Sequence, residues 1–160
     1  DKNVSVAGKS IVKANPHERV GVFCKMNGHP KVIEYTELPE KMAEEVDSDG
    51  ELKYGESHIM CNLYTIDAVE KISNEILMYH SAHKKNSYID ENGKEVIPTE
   101  PNSYKFESFI FDAFEFFDDI AIMRGKREDD FAPVKNKEGA DSPKTAKELY
   151  EKYWEKHGKK

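Results

Sequence analysis

Three side chains in this sequence stand where chemistry could use them. Glu34 lies in the aliphatic run Val32-Ile33-Glu34-Tyr35, where a carboxylate is costly unless it faces solvent or a polar ligand. On pattern alone, an edge-strand charge is the favoured explanation. Asn62 falls at a strand-to-helix junction, where ligands commonly settle on α/β sheets. Its amide could donate to and accept from hydroxyl groups, or simply fix the turn. Lys135 follows Phe131-Ala132-Pro133-Val134, a semi-rigid loop that could aim an ammonium at a phosphate. A solvated surface lysine is the plainer reading. Phe111 adds a geometric clue: on a helix it lies about 200° around from Phe109, off the main apolar stripe. It needs a second layer or a pocket wall to pack against.

Other chemistries find little support. Neither GxxxxGK[ST] nor GxGxxG occurs, so this stretch carries no glycine cradle for phosphates. His80 and His83 are spaced i, i+3 near an expected helix end, and His17, His29, His58 and His157 are scattered, so no metal site is expected. Cys24 and Cys61 are too few for a disulfide framework or a four-cysteine zinc site, and a reducing, cytoplasmic setting is expected. Acidic pairs such as Asp118-Asp119 are expected in a chain with 31 acidic against 24 basic residues and a net charge of −7. That balance disfavours a broad grip on nucleic acid or an anionic membrane. No apolar run exceeds the stretch Val20 to Cys24, which is too short for a transmembrane helix. At 160 residues the length suits one domain, while 34% charged residues mean much surface, and the start at Asp1 suggests a piece of something larger.

The elements that must position these residues can be read in order. Asn27-Gly28, between Val20–Cys24 and Val32–Tyr35, is a type I′ hairpin signal. Pro39 suits the start of a short helix through Glu45, and Asp47-Ser48-Asp49-Gly50 a polar loop. Ile59 to Tyr64 reads as a strand. Thr65 caps a helix whose apolar face is Val69, Ile72 and Ile76. Glu91-Asn92-Gly93-Lys94 is a second hairpin turn. Phe106, Phe109, Ile110, Ala113, Phe114 and Phe117 form the strongest helical stripe. Ile120 to Met123 is strand-like, Asp129 to Asp141 is an exposed loop, and Ser142-Pro143 opens a last helix carrying Leu149, Tyr153 and Trp154. Alternating strands and helices with two hairpins predict an α/β architecture on a mixed sheet.

These segments resemble a known family. Val20-Gly21-Val22-Phe23-Cys24 leading to Val32-Ile33-Glu34-Tyr35-Thr36-Glu37 is similar to the "VGVV…VVEYSE" hairpin of eukaryotic UDP-N-acetylglucosamine pyrophosphorylases. Cys61-Asn62-Leu63-Tyr64-Thr65 resembles their "CNHFFT". Pro101-Asn102-Ser103-Tyr104-Lys105-Phe106-Glu107 through Asp112 resembles "PNGIKMEKFVFD", and Arg127 through Asn136 resembles "REEEFSPLKN". The blocks keep family order from about Asn15 to the C-terminus. One departure stands out: Ser57-His58-Ile59-Met60 replaces the more usual Gly-Asn-Ile.

The resemblance implies part of a Rossmann-like (GT-A-like) nucleotidyltransferase domain, with 1–130 as its sugar-binding half and 131–160 as a phosphate-contacting loop and the start of a C-terminal region. It implies a uridylyltransferase that turns UTP and N-acetylglucosamine 1-phosphate into UDP-N-acetylglucosamine and pyrophosphate. Another UDP-sugar, or a non-catalytic sugar-phosphate or partner-binding module, is the alternative. Gly21 would let the sugar approach the backbone, and Glu34 and Asn62 would bind its hydroxyls. Phe109 and Phe111 would wall the N-acetyl pocket, and Lys105 and Lys135 would meet the phosphates. Mg²⁺ is implied as cofactor. Its aspartate ligand and the family's "GGxGTRLG…PK" loop lie upstream of this sequence, so the chain by itself is expected to be inactive without an N-terminal half.

Overall fold

The computed structural model describes residues 4–158. Val6–Val12 (β1), Val22–Met26 (β2), His29–Ile33 (β3), Glu56–Tyr64 (β4) and Ala121–Arg124 (β9) form one sheet in the order β3-β2-β4-β1-β9. The β1–β9 pair is parallel and the remaining pairs are antiparallel, so the sheet is mixed. The β2–β3 hairpin turns at Asn27 (φ 52°) and Gly28 (φ 88°). Both angles lie in the left-handed region that a type I′ turn demands, which this dipeptide adopts readily. Outside the sheet, His80–Lys84 (β5) pairs with Ser103–Glu107 (β8) as a two-stranded ribbon. At its tip a small hairpin joins Tyr88–Ile89 (β6) to Glu95–Val96 (β7).

Side-chain alternation along β2 and β3 builds a core on each face of the sheet. Phe23 and Val32 join Val6, Ala68, Phe111 and Phe114 on one face. Val22 and Ile33 join Leu38 and Ala43, the latter on the single-turn helix Glu40–Ala43 (α1), on the other. Ala68 belongs to Ile66–Ser73 (α2), where the Thr65 hydroxyl accepts from Ala68 N as an N-cap. This helix is shorter than its apolar spacing predicts. Asn74 ends it, its amide donating to the Glu70 carbonyl at 2.8 Å, so Ile76 lies beyond it and is exposed. Ala68 and Ile72, rather than Val69, face the core. His80 and His83 accordingly sit on β5 and not on a helix.

The predicted aromatic helix over 106–117 is likewise corrected. Phe106 is an exposed strand residue opposite Ser81, and only Ile110–Phe116 is helical, as a 3₁₀ helix. No side chain caps its start, and Asp118-Asp119 puts negative charge beyond its C-terminal end, where the helix dipole disfavours it. With three residues per turn, Phe111 and Phe114 stack in one row, and both are buried. Phe111 therefore does not leave the apolar face; it belongs to it.

Arg127–Asp130 (α3) interrupts the loop expected from Asp129 to Asp141. An ion pair between Lys9 and Asp130 ties α3 to β1. Pro143–His157 (α4) starts as predicted, with Ser142 and Thr145 forming a reciprocal capping box. Leu149, Tyr153 and Trp154 are its half-buried side.

Candidate functional site

One cleft of about 580 Å³ opens where β2, β3, β4, the 3₁₀ helix and the loop after α3 meet. Gly21, Glu34, Phe111 and Lys135, drawn from four separate segments, all line it. Glu34 is not inside a strand. It follows the last residue of β3 and opens a turn in which its carbonyl accepts from Glu37 N and Leu38 N at 2.9 and 3.1 Å. Burial, with help from Glu37, raises its pKa above the usual carboxylate value, while His80 and Lys135 pull it down. The carboxylate is thus poorly solvated and faces a cation, a state suited to accepting hydrogen bonds.

Gly21 serves this carboxylate directly. A Cβ there would lie 3.0 Å from Val32 Cγ1 and 3.1 Å from Glu34 Oε1. The side-chain space of Gly21 is already filled, so its lack of a Cβ seats Glu34 against the backbone rather than leaving a hollow. Opposite, Lys135 Nζ donates to the Arg19 carbonyl at 3.2 Å. Its loop closes on itself, since Lys135 N and Asn136 N both donate to the Asp141 carbonyl at 2.7 and 3.0 Å. Glu18, also in the lining, is held by Arg127, whose guanidinium reaches both carboxylate oxygens at 2.6 and 2.7 Å.

The residue that sequence reasoning missed is His58. Between the pairs Ser10↔His58 and Gly8↔Asn62, three residues of β4 oppose the single residue Lys9. Met60, at φ 55°, takes up the strain of this bulge. The bulge turns His58, rather than Asn62, to the cleft lining. The His58 ring is set edge-on between Phe23 (5.1 Å between centroids) and Phe111 (4.8 Å). Burial among these rings pushes its pKa below the ordinary value, against a smaller upward pull from Asn62, so the ring is neutral at pH 7. Its Nε2 lies 3.1 Å from Asn62 Oδ1, so Nε2 carries the proton and donates it. The available signal was Ser57-His58-Ile59, where the family more often has Gly-Asn-Ile.

Asn62 stands behind His58 and near the Tyr64 hydroxyl, and is not in the lining. Phe109 also stands one layer back, stacked on Phe111 at 4.8 Å. Lys105 is elsewhere: it lies on β8, exposed and paired with Glu107 at 2.7 Å, away from the cleft. Among the described residues, one group of three could offer ligand atoms to a metal, His17, Glu40 and Glu44. All three are exposed, and none lines the cleft.

A mixed sheet with a core on each face, and a polar cleft walled by an acid, an amine and aromatic rings, defines part of a nucleotidyltransferase-type α/β domain. The chain belongs to the family described as UTP--glucose-1-phosphate uridylyltransferase, whose profile matches residues 2–142. It is 40% identical over 145 residues to human UDP-N-acetylhexosamine pyrophosphorylase-like protein 1, covering 88% of this chain and 29% of that protein. With UDP-N-acetylglucosamine pyrophosphorylase of Saccharomyces cerevisiae it shares 36% identity over 153 residues, 91% of this chain and 32% of that one. The crystal structure of the uridine diphosphate N-acetylglucosamine pyrophosphorylase from Trypanosoma brucei in complex with inhibitor superposes with a TM-score of 0.72 at 36% identity. That match covers 91% of this chain and 29% of that one. The structure of a candidate enzyme of the same name from Entamoeba histolytica matches at a TM-score of 0.80 and 33% identity, over 92% of this chain and 37% of that one. The chain spans about three tenths of the length of the curated relatives it matches.

Proposed function

We propose that this chain forms the sugar-phosphate half-site of a uridylyltransferase that joins UTP and N-acetylglucosamine 1-phosphate into UDP-N-acetylglucosamine and pyrophosphate. The observation that carries the reading is the convergence of Gly21, Glu34, Phe111 and Lys135 on one cleft. Family membership and the names of the relatives point the same way.

The chemistry follows from the lining. In such a transfer an oxygen of the sugar phosphate attacks the α-phosphorus of UTP and pyrophosphate leaves, so positioning and charge neutralisation supply most of the rate. Lys135 places an ammonium beside the cleft, where it would hold the phosphate of the sugar 1-phosphate as its charge redistributes. Glu34 would accept hydrogen bonds from ring hydroxyls. Phe111, backed by Phe109, offers an apolar wall for the N-acetyl methyl, and His58 a neutral polar floor. Mg²⁺ belongs to the reading of the family. The carboxylates in this cleft do not gather into a ligand set, so these residues do not fit a metal there and none of their roles passes through one.

Calorimetric titration with N-acetylglucosamine 1-phosphate tests the half-site. Binding should weaken about tenfold or more in Lys135→Ala, the loss of one charge-assisted contact, with glucose 1-phosphate and N-acetylgalactosamine 1-phosphate ranking sugar preference. Equal affinity of wild type and Lys135→Ala would overturn the assignment of the phosphate to Lys135.

A further inference from the structure

His80, on β5 of the β5–β8 ribbon, reaches both walls of the cleft. Its Nε2 lies 2.8 Å from Asp112 Oδ2, and its Nδ1 lies 3.4 Å from Glu37 Oε1. Asp112 is a buried residue of the 3₁₀ helix that carries Phe111, and its other oxygen, Oδ1, is buried without a partner. Glu37 sits in the turn opened by Glu34. The ring of His80 also packs on Phe109 at 5.0 Å, and Phe109 stacks on Phe111. The two carboxylates therefore come from the two walls of the cleft, with one imidazole between them.

We propose that His80 is a positioning residue that clamps the Glu34 wall to the Phe111 wall, and that its protonation sets how firmly the cleft holds a sugar phosphate. A doubly protonated ring donates to both carboxylates at once, whereas a neutral ring has one N–H and must release one of them. The shorter bond to buried Asp112 keeps the proton, because an unpaired buried carboxylate is the costlier outcome. The released partner is Glu37, and with it the turn that orients Glu34. The surroundings of His80 are acidic on each side: Glu37 from the turn, Asp112 from the 3₁₀ helix and Glu107 opposite on β8, the last paired with Lys105. Glu34 and Lys135 lie further out across the cleft. Partial burial disfavours the charged ring, but Asp112 and Glu37 outweigh it, so the pKa of His80 is raised.

The ligand half of this inference rests on the sugar-phosphate reading, so its test has a ligand-free arm. In the ligand-free arm, the His80 ring and the backbone amides of Glu34 and Phe111 are followed by NMR between pH 5 and 9. The amides should titrate together with the ring, above the ordinary histidine value, and that transition should vanish in His80→Gln. Amides that ignore the ring would overturn the clamp even if the sugar phosphate binds. In the ligand arm, affinity for N-acetylglucosamine 1-phosphate is expressed as the variant-to-wild-type ratio at each pH, which cancels titration of the phosphate itself. His80→Gln should bind about two- to fivefold more weakly at pH 6 and equal wild type at pH 8.5, the effect of one partly exposed ion pair. Glu37→Gln, which leaves the buried Asp112 contact intact, should show the same ratio profile and keeps the test open should His80→Gln fail to fold. A ratio that stays constant with pH means a merely structural role and overturns the proposal. If the wild type binds no sugar phosphate, the proposed function fails while the amide titration still decides the clamp.

Discussion

Replacing Gly21 by alanine separates packing from function at one position. The new methyl would lie 3.0 Å from Val32 Cγ1 and 3.1 Å from Glu34 Oε1, inside the 3.5–4.0 Å optimum for nonbonded carbon contacts. Val32 is buried in the core with Phe23 and Phe114 and cannot retreat, but half-buried Glu34 can swing into the cleft. Overpacking costs about 1–3 kcal/mol when nothing yields, and the mobile carboxylate brings this toward 1 kcal/mol. The melting temperature should therefore fall by roughly 2–4 °C. Displacing Glu34 removes a charge-assisted hydrogen bond to the ligand, about 1.5–3 kcal/mol, or roughly ten- to hundredfold in Kd. Calorimetry with N-acetylglucosamine 1-phosphate and a thermal melt measure both. The double variant with Glu34→Ala is the control, because Gly21→Ala should then add almost nothing to the binding loss. Additive losses would refute the idea that Gly21 acts through Glu34, as would a large thermal shift with unchanged affinity.

Other outcomes can be checked by simpler means. Phe114→Ala empties the fully buried centre of one core and should destabilise by about 3–5 kcal/mol in urea unfolding. Ser142→Ala removes the hydroxyl half of the capping box, while its backbone N–H still donates to Thr145 Oγ1, and should cost about 1 kcal/mol, with faster hydrogen exchange confined to the first turn of α4. His58 has a lowered folded pKa, so the unfolded chain takes up its proton first as pH falls. Its contribution to stability is full above about 6.5 and is lost as pH drops through that value toward the folded one, and a urea series on His58→Asn should lack this step. Gly28→Ala forces a side chain into the left-handed region and should cost about 1–2 kcal/mol without affecting binding, since the turn closes the opposite end of the β2–β3 hairpin from Gly21 and Glu34 and does not line the cleft.

Features under short-range chemical control are legible in the residues alone. The Asn27-Gly28 hairpin, the Thr65 and Ser142 caps and the polar turn at Glu91–Lys94 all appear as expected, because each depends on a few adjacent residues. The family blocks also brought Gly21, Glu34, Phe111 and Lys135 into one candidate set before any fold was known, and the structure seats all four on one cleft. Tertiary structure decided the rest. The aromatic segment carries a helical period, yet Ser103–Glu107 pairs with β5, because strand pairing across the chain outweighs a weak local propensity for aromatic helices. The same pairing took His80 off a helix and set it between two cleft walls. β1 went unread because its apolar residues are interrupted by glycine, lysine and serine, and only pairing on both sides with β4 and β9 makes it a strand. The bulge at Met60 exchanged Asn62 for His58 in the lining. A register shift depends on the partner strand, and one strand alone does not specify its partner.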